Sequence, residues 1–295
     1  MKSTIKNYLS LVKFSHTIFA MPFALIGFFL ALKNINYQTT QPWWQLFFLV
    51  FLCMIFARSA AMGFNRWLDA KYDAKNPRTA IREIPAGIIT PQNALLFVIF
   101  NCIAFIVCTY FINAICFYLS PVALFVVLFY SYTKRFTSLS HLVLGLGLSL
   151  APIGAYLAVT GRFDMLPILF SFTVLFWVSG FDIIYALQDE EFDRSQKLRS
   201  VPASLGKKNA LQVSELLHLL SAACVVAAGL YGNFHWLYWI GVGIFLLLLI
   251  YQHTLVKPGN LSKVNVAFFT TNGVASVIFC IFVLADIFIL KTNFL

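Results

Sequence analysis

Charge is what this chain has least of. Only 11% of its 295 residues are Asp, Glu, Lys or Arg, against about 25% in water-soluble domains, which excludes an ordinary soluble fold. Acids are scarcer than bases, 11 against 21, leaving a formal net charge of +10. The bases gather into no single patch, which argues against a nucleic-acid partner. Cysteine is sparse and never paired in sequence: Cys53, Cys102, Cys108, Cys116, Cys224 and Cys280 all sit in apolar runs without a CxxC spacing. They read as small buried hydrophobes, not as a disulfide framework or a thiolate metal centre. His16, His141, His218, His235 and His253 fall in separate segments, which argues against a histidine metal site. A cleavage pattern is also missing after the apolar run that follows Lys2, Lys6 and Lys13, so that run reads as a first membrane helix.

What the chain has in abundance is apolar surface: 60% hydrophobic residues, 32 of them Phe, and a mean hydropathy of +0.83. Lipid is the implied solvent. A bilayer core of about 30 Å takes about 20 apolar residues per helix. That length gives nine spans, near 9–33, 43–66, 93–111, 114–132, 141–160, 166–187, 211–230, 235–255 and 265–290. Fold class is therefore all-α: nine transmembrane helices in one bundle around a central cavity, a single domain over 1–295. Glycines within the spans predict close helix approach, and Pro22, Pro121, Pro152 and Pro167 predict bends or helix starts. Trp43 and Trp44, and Trp236 and Trp239 with Tyr238, read as an interfacial aromatic belt. Asp286 and Glu215 stand near helix ends without evident companions.

The few acids are not scattered. Asn65, Asp69 and Asp73 recur at every fourth residue, drifting only about 40° per step on a helix, so three oxygen-bearing side chains share a face. They follow an apolar stretch interrupted by Arg58 and Ser59. A second cluster, Asp182 and then Asp189-Glu190-Glu191-Phe192-Asp193, repeats the pattern four spans later. Eight of the eleven acids lie in or beside the two long loops 67–92 and 188–210. Two acidic exits of this kind, each followed by Arg and Lys, suit a diphosphate held through Mg²⁺, which prefers oxygen ligands and usually combines one or two carboxylates with substrate phosphates. Arg78, Lys134, Arg135 and Arg199 would neutralise the outer phosphate oxygens. Arg199 could equally grip an acceptor's carboxylate. A solvated loop and a simple orientation signal are the competing readings of these charges, taken one residue at a time. Asp182, inside a span, calls for a partner or a function.

On these residues the chain resembles the UbiA superfamily of intramembrane aromatic prenyltransferases. The matching stretches are Asn65-x3-Asp69-x3-Asp73, Asn76-Pro77-Arg78-Thr79-Ala80-x-Arg82, Tyr130-Ser131-Tyr132-Thr133-Lys134-Arg135, and Asp182-Ile183-Ile184-Tyr185 through Asp189-x3-Asp193 with Arg199-Ser200. The resemblance implies Mg²⁺-dependent transfer from a polyprenyl diphosphate to an aromatic acceptor, most similar to the 4-hydroxybenzoate polyprenyltransferases of ubiquinone and menaquinone biosynthesis. It implies Asn65, Asp69 and Asp73 on one Mg²⁺–diphosphate and Asp189 and Asp193 on the other. Arg78, Lys134 and Arg199 would contact the diphosphate, with Asp182 and Tyr185 in support. Arg66, Glu83 and Arg199 depart from the pattern common in that subgroup, and a related branch acts on a dihydroxynaphthoate, so the acceptor stays open. A haem or chlorophyll precursor as acceptor, or a secondary transporter, are the remaining alternatives.

Orientation follows from the bases. With the N-terminus inside, 18 of the 21 face the cytoplasm and Lys33, Arg162 and Lys291 face out, which predicts an inner-membrane protein with cytoplasmic acidic loops and an external C-terminus. Cysteines placed at positions 75 and 197 should label only from the cytoplasmic side, and at 33 and 162 only from the other. Opposite labelling of 75 and 197 would separate the two acidic loops and end the shared-site reading.

Overall fold

The computed structural model describes residues 2–12 and 19–290. Lys13, His16 and Lys291 lie outside the described residues, as do the middle of the first expected span and the side chains of Lys2 and Lys6. Among the described residues the chain is helical, with one isolated bridge between Lys257 and Asn260 and no sheet.

The helices are α1 (Lys2–Leu11), α2 (Met21–Asn34), α3 (Trp43–Leu68), α4 (Ala70–Asp73), α5 (Pro91–Ile112), α6 (Ala114–Thr133), α7 (Ser140–Thr160), α8 (Met165–Ala186), α9 (Glu190–Ser195), α10 (Val201–Tyr231), α11 (Trp236–Leu255) and α12 (Asn272–Ile289). A 3₁₀ turn, Leu187–Asp189, joins α8 to α9, and a π turn, Val266–Thr271, leads into α12. Among the described residues eight segments are long and apolar enough to cross a membrane, and α2 is a shorter apolar helix. This is the expected all-α membrane bundle. Lipid-facing positions such as Leu96, Phe100, Tyr118, Phe125, Leu247 and Ile250 are exposed and apolar, as a bilayer solvent requires.

Helix starts follow their caps. Thr90 accepts from the Asn93 N–H ahead of Pro91, and Asn113 accepts from the Cys116 N–H. The Asn113 amide also donates to the carbonyls of Leu157 and Ala158, tying the α5–α6 turn to the end of α7. Ser200 caps α10 through the Ala203 N–H. The seventh span therefore begins well before 211, with a break at Gly206 (φ 78°) where the chain leaves helical geometry.

At the centre α8 lies between α7 and α10. Trp177, fully buried on α8, donates to the side chain of Asn272 at 2.8 Å, and the Asn272 amide donates to the carbonyls of Ala267 and Phe268 in the π turn. Around it pack Phe23, Phe170, Phe181, Phe245 and Phe279. Two sequence expectations are corrected here. Tyr238 belongs to this core and not to the aromatic belt: it is fully buried, and its hydroxyl donates to the Val225 carbonyl at 2.6 Å. Asp286 does have companions, accepting from the N–H groups of His235 and Tyr238 at 3.1 and 2.9 Å, so it caps α11 from a different helix. Two of the separated histidines, His218 and His253, meet across α10 and α11 at 2.7 Å.

Close approach sets the tolerance of the glycines. A Cβ at Gly27 would collide with the Pro152 carbonyl oxygen, whereas one at Gly147 would meet Val127 at an ordinary 3.6 Å. Gly27→Ala should cost about 1–3 kcal/mol, since a backbone atom cannot swing aside, and Gly147→Ala should be tolerated. Thermal unfolding in detergent measures both, and equal melting temperatures would contradict the packing.

Candidate active site

The two acidic segments sit where apolar helices end. At Asp69 the backbone turns out of α3 (φ −91°, ψ 3°) and restarts as α4. Even across this break the Asn65 amide donates to Asp69 at 3.1 Å, so the two side chains share a face. In the second segment the helix does not run through as one piece. Helix α8 carries Asp182 and Tyr185, the 3₁₀ turn carries Asp189, and α9 carries Asp193.

Arginines tie these segments together. Arg78 spans Asp189 with two hydrogen bonds, 3.1 Å from Nε and 2.5 Å from Nη2, and its Nη1 donates to the Tyr185 hydroxyl at 3.0 Å. The Asn76 amide reaches the same carboxylate at 3.3 Å. These contacts bring residues more than 100 positions apart in sequence into one site. Arg82 pairs with Asp73 at 2.6 Å, and Arg135 with Asp69 at 3.0 Å while lying over the rings of Tyr72 and Tyr132. Tyr185 in turn stacks on Phe268 of the π turn, ring centroids 4.2 Å apart.

Lys134 stands between the segments. Burial works against its charge, but Asp193, Asp182, Asp189 and Asp69 together outweigh burial and raise its pKa. Burial likewise raises the Asp69 carboxyl above the usual carboxylate range, against the pull of Lys134 and Arg135. Arg199 is turned elsewhere. Its N–H donates to the Lys134 carbonyl at 2.7 Å and its exposed guanidinium to the Phe136 carbonyl at 2.8 Å, so it clasps the loop that carries Lys134.

Among the described residues no three His, Cys, Asp or Glu side chains form a ready cage. Buried oxygens without a hydrogen-bond partner remain on both segments, Asp73 Oδ2 and Asp193 Oδ2. All-oxygen donors of this kind fit Mg²⁺ rather than a thiolate- or imidazole-loving ion.

Below the acids opens a cavity of about 380 Å³ walled by α3, α5, α6 and α7. Its lining is apolar except near Arg58, Tyr130, Thr109 and Ser120, and it includes Val122 and Phe163, which are lipid-exposed. Arg58 is the residue that sequence reasoning undervalued, counting it only as an orientation charge. Its Nε is buried without a partner on the cavity wall. The signal was present, a guanidinium seven residues before Asn65 inside an apolar run, but nothing in the spacing says what it faces. The partner that Asp182 called for is His141, whose Nδ1 donates to it at 2.7 Å while Nε2 accepts the Val201 N–H at 3.3 Å. Those two contacts link α7, α8 and α10.

Residues 20–274 match the UbiA prenyltransferase family. A 4-hydroxybenzoate octaprenyltransferase from Tolumonas auensis is 31% identical over 238 residues, 80% of this chain and 83% of that protein. A UbiA homologue from Aeropyrum pernix K1, solved in its apo form, superposes with a TM-score of 0.82 at 28% identity, covering 92% of this chain and 98% of that one. A UbiA homologue from Archaeoglobus fulgidus bound to GPP and Mg²⁺ shares the fold at 20% identity and a TM-score of 0.72, covering 95% of this chain and 99% of the other. With the family matched over most of its length and paired acidic segments above an apolar intramembrane cavity, this chain belongs to the UbiA prenyltransferase family.

Proposed function

We propose that this prenyltransferase moves a polyprenyl group from a polyprenyl diphosphate to a hydroxylated aromatic acid of the 4-hydroxybenzoate type, in quinone biosynthesis, at a site facing the cytoplasm. The observation that carries the reading is Arg58, whose Nε is buried without a partner on the wall of the apolar cavity, on the same helix that ends at Asp69. Such a group is costly in hydrocarbon unless an anion meets it. An aromatic carboxylate entering the cavity is that anion, and its ring is then held near the site where the diphosphate leaves. The name of the Tolumonas auensis relative supports the same acceptor class.

Asn65, Asp69 and Asp73 on one segment and Asp189 and Asp193 on the other would hold Mg²⁺. When bound, the metal supplies Lewis-acid stabilisation of charge on the leaving diphosphate. The chain's own residues do the rest. Arg78 presents a fork already satisfied by two carboxylate oxygens, a geometry that two phosphate oxygens also fit. Lys134 and Arg135 add positive charge between the segments, and Arg199 acts by holding the Lys134 loop. As the allylic C–O bond breaks, its electron pair stays with diphosphate. The apolar walls keep water from the developing cation, and the Tyr130 face can stabilise it. A ring carbon of the acceptor then forms the new C–C bond and loses its proton.

Purified protein in nanodiscs should prenylate 4-hydroxybenzoate from geranyl diphosphate with Mg²⁺, and lose that activity in EDTA. Arg58→Leu should raise KM for the acid about 10- to 100-fold, the worth of a hydrogen bond to a charged group, while KM for the diphosphate stays unchanged. Product masses with 4-hydroxybenzoate, a dihydroxynaphthoate and a decarboxylated phenol read out the acceptor. Equal use of the phenol by wild type would contradict the role given to Arg58.

A further inference from the structure

We propose that Gly154 is a specificity-determining residue: its missing side chain keeps open the passage along which a long prenyl tail leaves the site. A bulky residue there would shorten the longest tail accepted. This inference rests on the prenyl-transfer reading above.

Glycine is the poorest helix former after proline, so each helical glycine calls for a reason. Most have one here. A Cβ at Gly27, Gly145, Gly180, Gly229 or Gly241 would strike a packed neighbour, respectively Pro152, Ser179, His218, Tyr238 or Phe282. Gly154 has no such reason. An added Cβ meets nothing within 4 Å, and its backbone is not among those with positive φ. What it faces is the cavity, whose wall it forms with Ala151 and Ala158 one turn to either side. Gly243 is equally open, but it is exposed on α11 and takes no part in the cavity.

Its depth suits a tail rather than the reacting groups. Gly154 lies 14 residues along α7 from Ser140 (154 − 140), roughly 21 Å from the end that meets the Lys134 loop. Arg58 lies seven residues before Asn65 (65 − 58) on α3, roughly 10 Å along the helix from that site residue. The tail therefore passes Gly154 beyond the level of the acceptor pocket and before the mouth marked by Phe163, which is 53% exposed. Val50 and Cys53 of α3 and Ala123 of α6 line the same cavity.

The test compares kcat/KM for geranyl diphosphate with that for octaprenyl diphosphate, using 4-hydroxybenzoate as acceptor, in wild type, Gly154→Ala, Gly154→Leu and Gly243→Leu. Gly154→Leu should keep its ten-carbon activity within about twofold and lose at least about tenfold in the long-to-short ratio, as overpacking a filled channel predicts. Gly154→Ala should fall between, and Gly243→Leu should keep the wild-type ratio. Should Gly154→Leu fail to insert, Gly154→Val carries the same comparison. An unchanged ratio, or loss of both substrates together in a variant that melts like wild type, would overturn the inference. Wild type that used neither diphosphate would instead overturn the prenyl-transfer reading on which it rests.

Discussion

Everything at this site depends on placing several carboxylates at the edge of a hydrocarbon slab. A buried acid without a counter-charge is expensive, and here three of the acids are each given an arginine. Arg135 takes Asp69, Arg82 takes Asp73 and Arg78 takes Asp189. Lys134 stands among four acids at once. The Arg78–Asp189 pair also ties the two long loops to each other. The same balance makes the site ready for an anionic substrate. Bases already matched to carboxylate oxygens are matched to phosphate oxygens, and the unpartnered oxygens of Asp73 and Asp193 leave room for a cation.

That charge layer is coupled to the apolar core through α8. Asp182 near its end is held by His141, Tyr185 supports Arg78, and Trp177 two turns deeper ties the π turn that places Phe268 under Tyr185. A rigid aromatic core thus fixes the angle at which Arg78 meets Asp189. On the other side of the bundle the cavity opens between α3, α5, α6 and α7. One half holds the geometry and the other half leaves the space.

Much of this was legible in the sequence because membranes constrain backbones so strongly. Apolar length located the spans, and the four-residue recurrence of Asn65 and Asp69 survives as a hydrogen bond. What was not legible is the identity of partners across helices. Nothing in the spacing of His141 and Asp182, or of His218 and His253, says that they meet. Asp286 looked solitary because its two donors are backbone N–H groups on another helix. Tyr238 looked interfacial because its neighbours Trp236 and Trp239 are aromatic, yet its face of α11 turns inward. Arg58 shows the same limit: its sequence context marks it as a charge near a membrane edge, and only the cavity gives it a direction.

The central claim is that two acidic segments far apart in the chain act as one metal-dependent diphosphate site. Calorimetric titration of geranyl diphosphate without acceptor tests it most directly, in wild type, Asp69→Asn and Asp189→Asn, with Mg²⁺ and with EDTA. Binding should require Mg²⁺, and each single variant should weaken it by at least about tenfold, the loss expected when a charged ligand is removed. Undiminished binding in EDTA, or wild-type affinity in either variant, would contradict it.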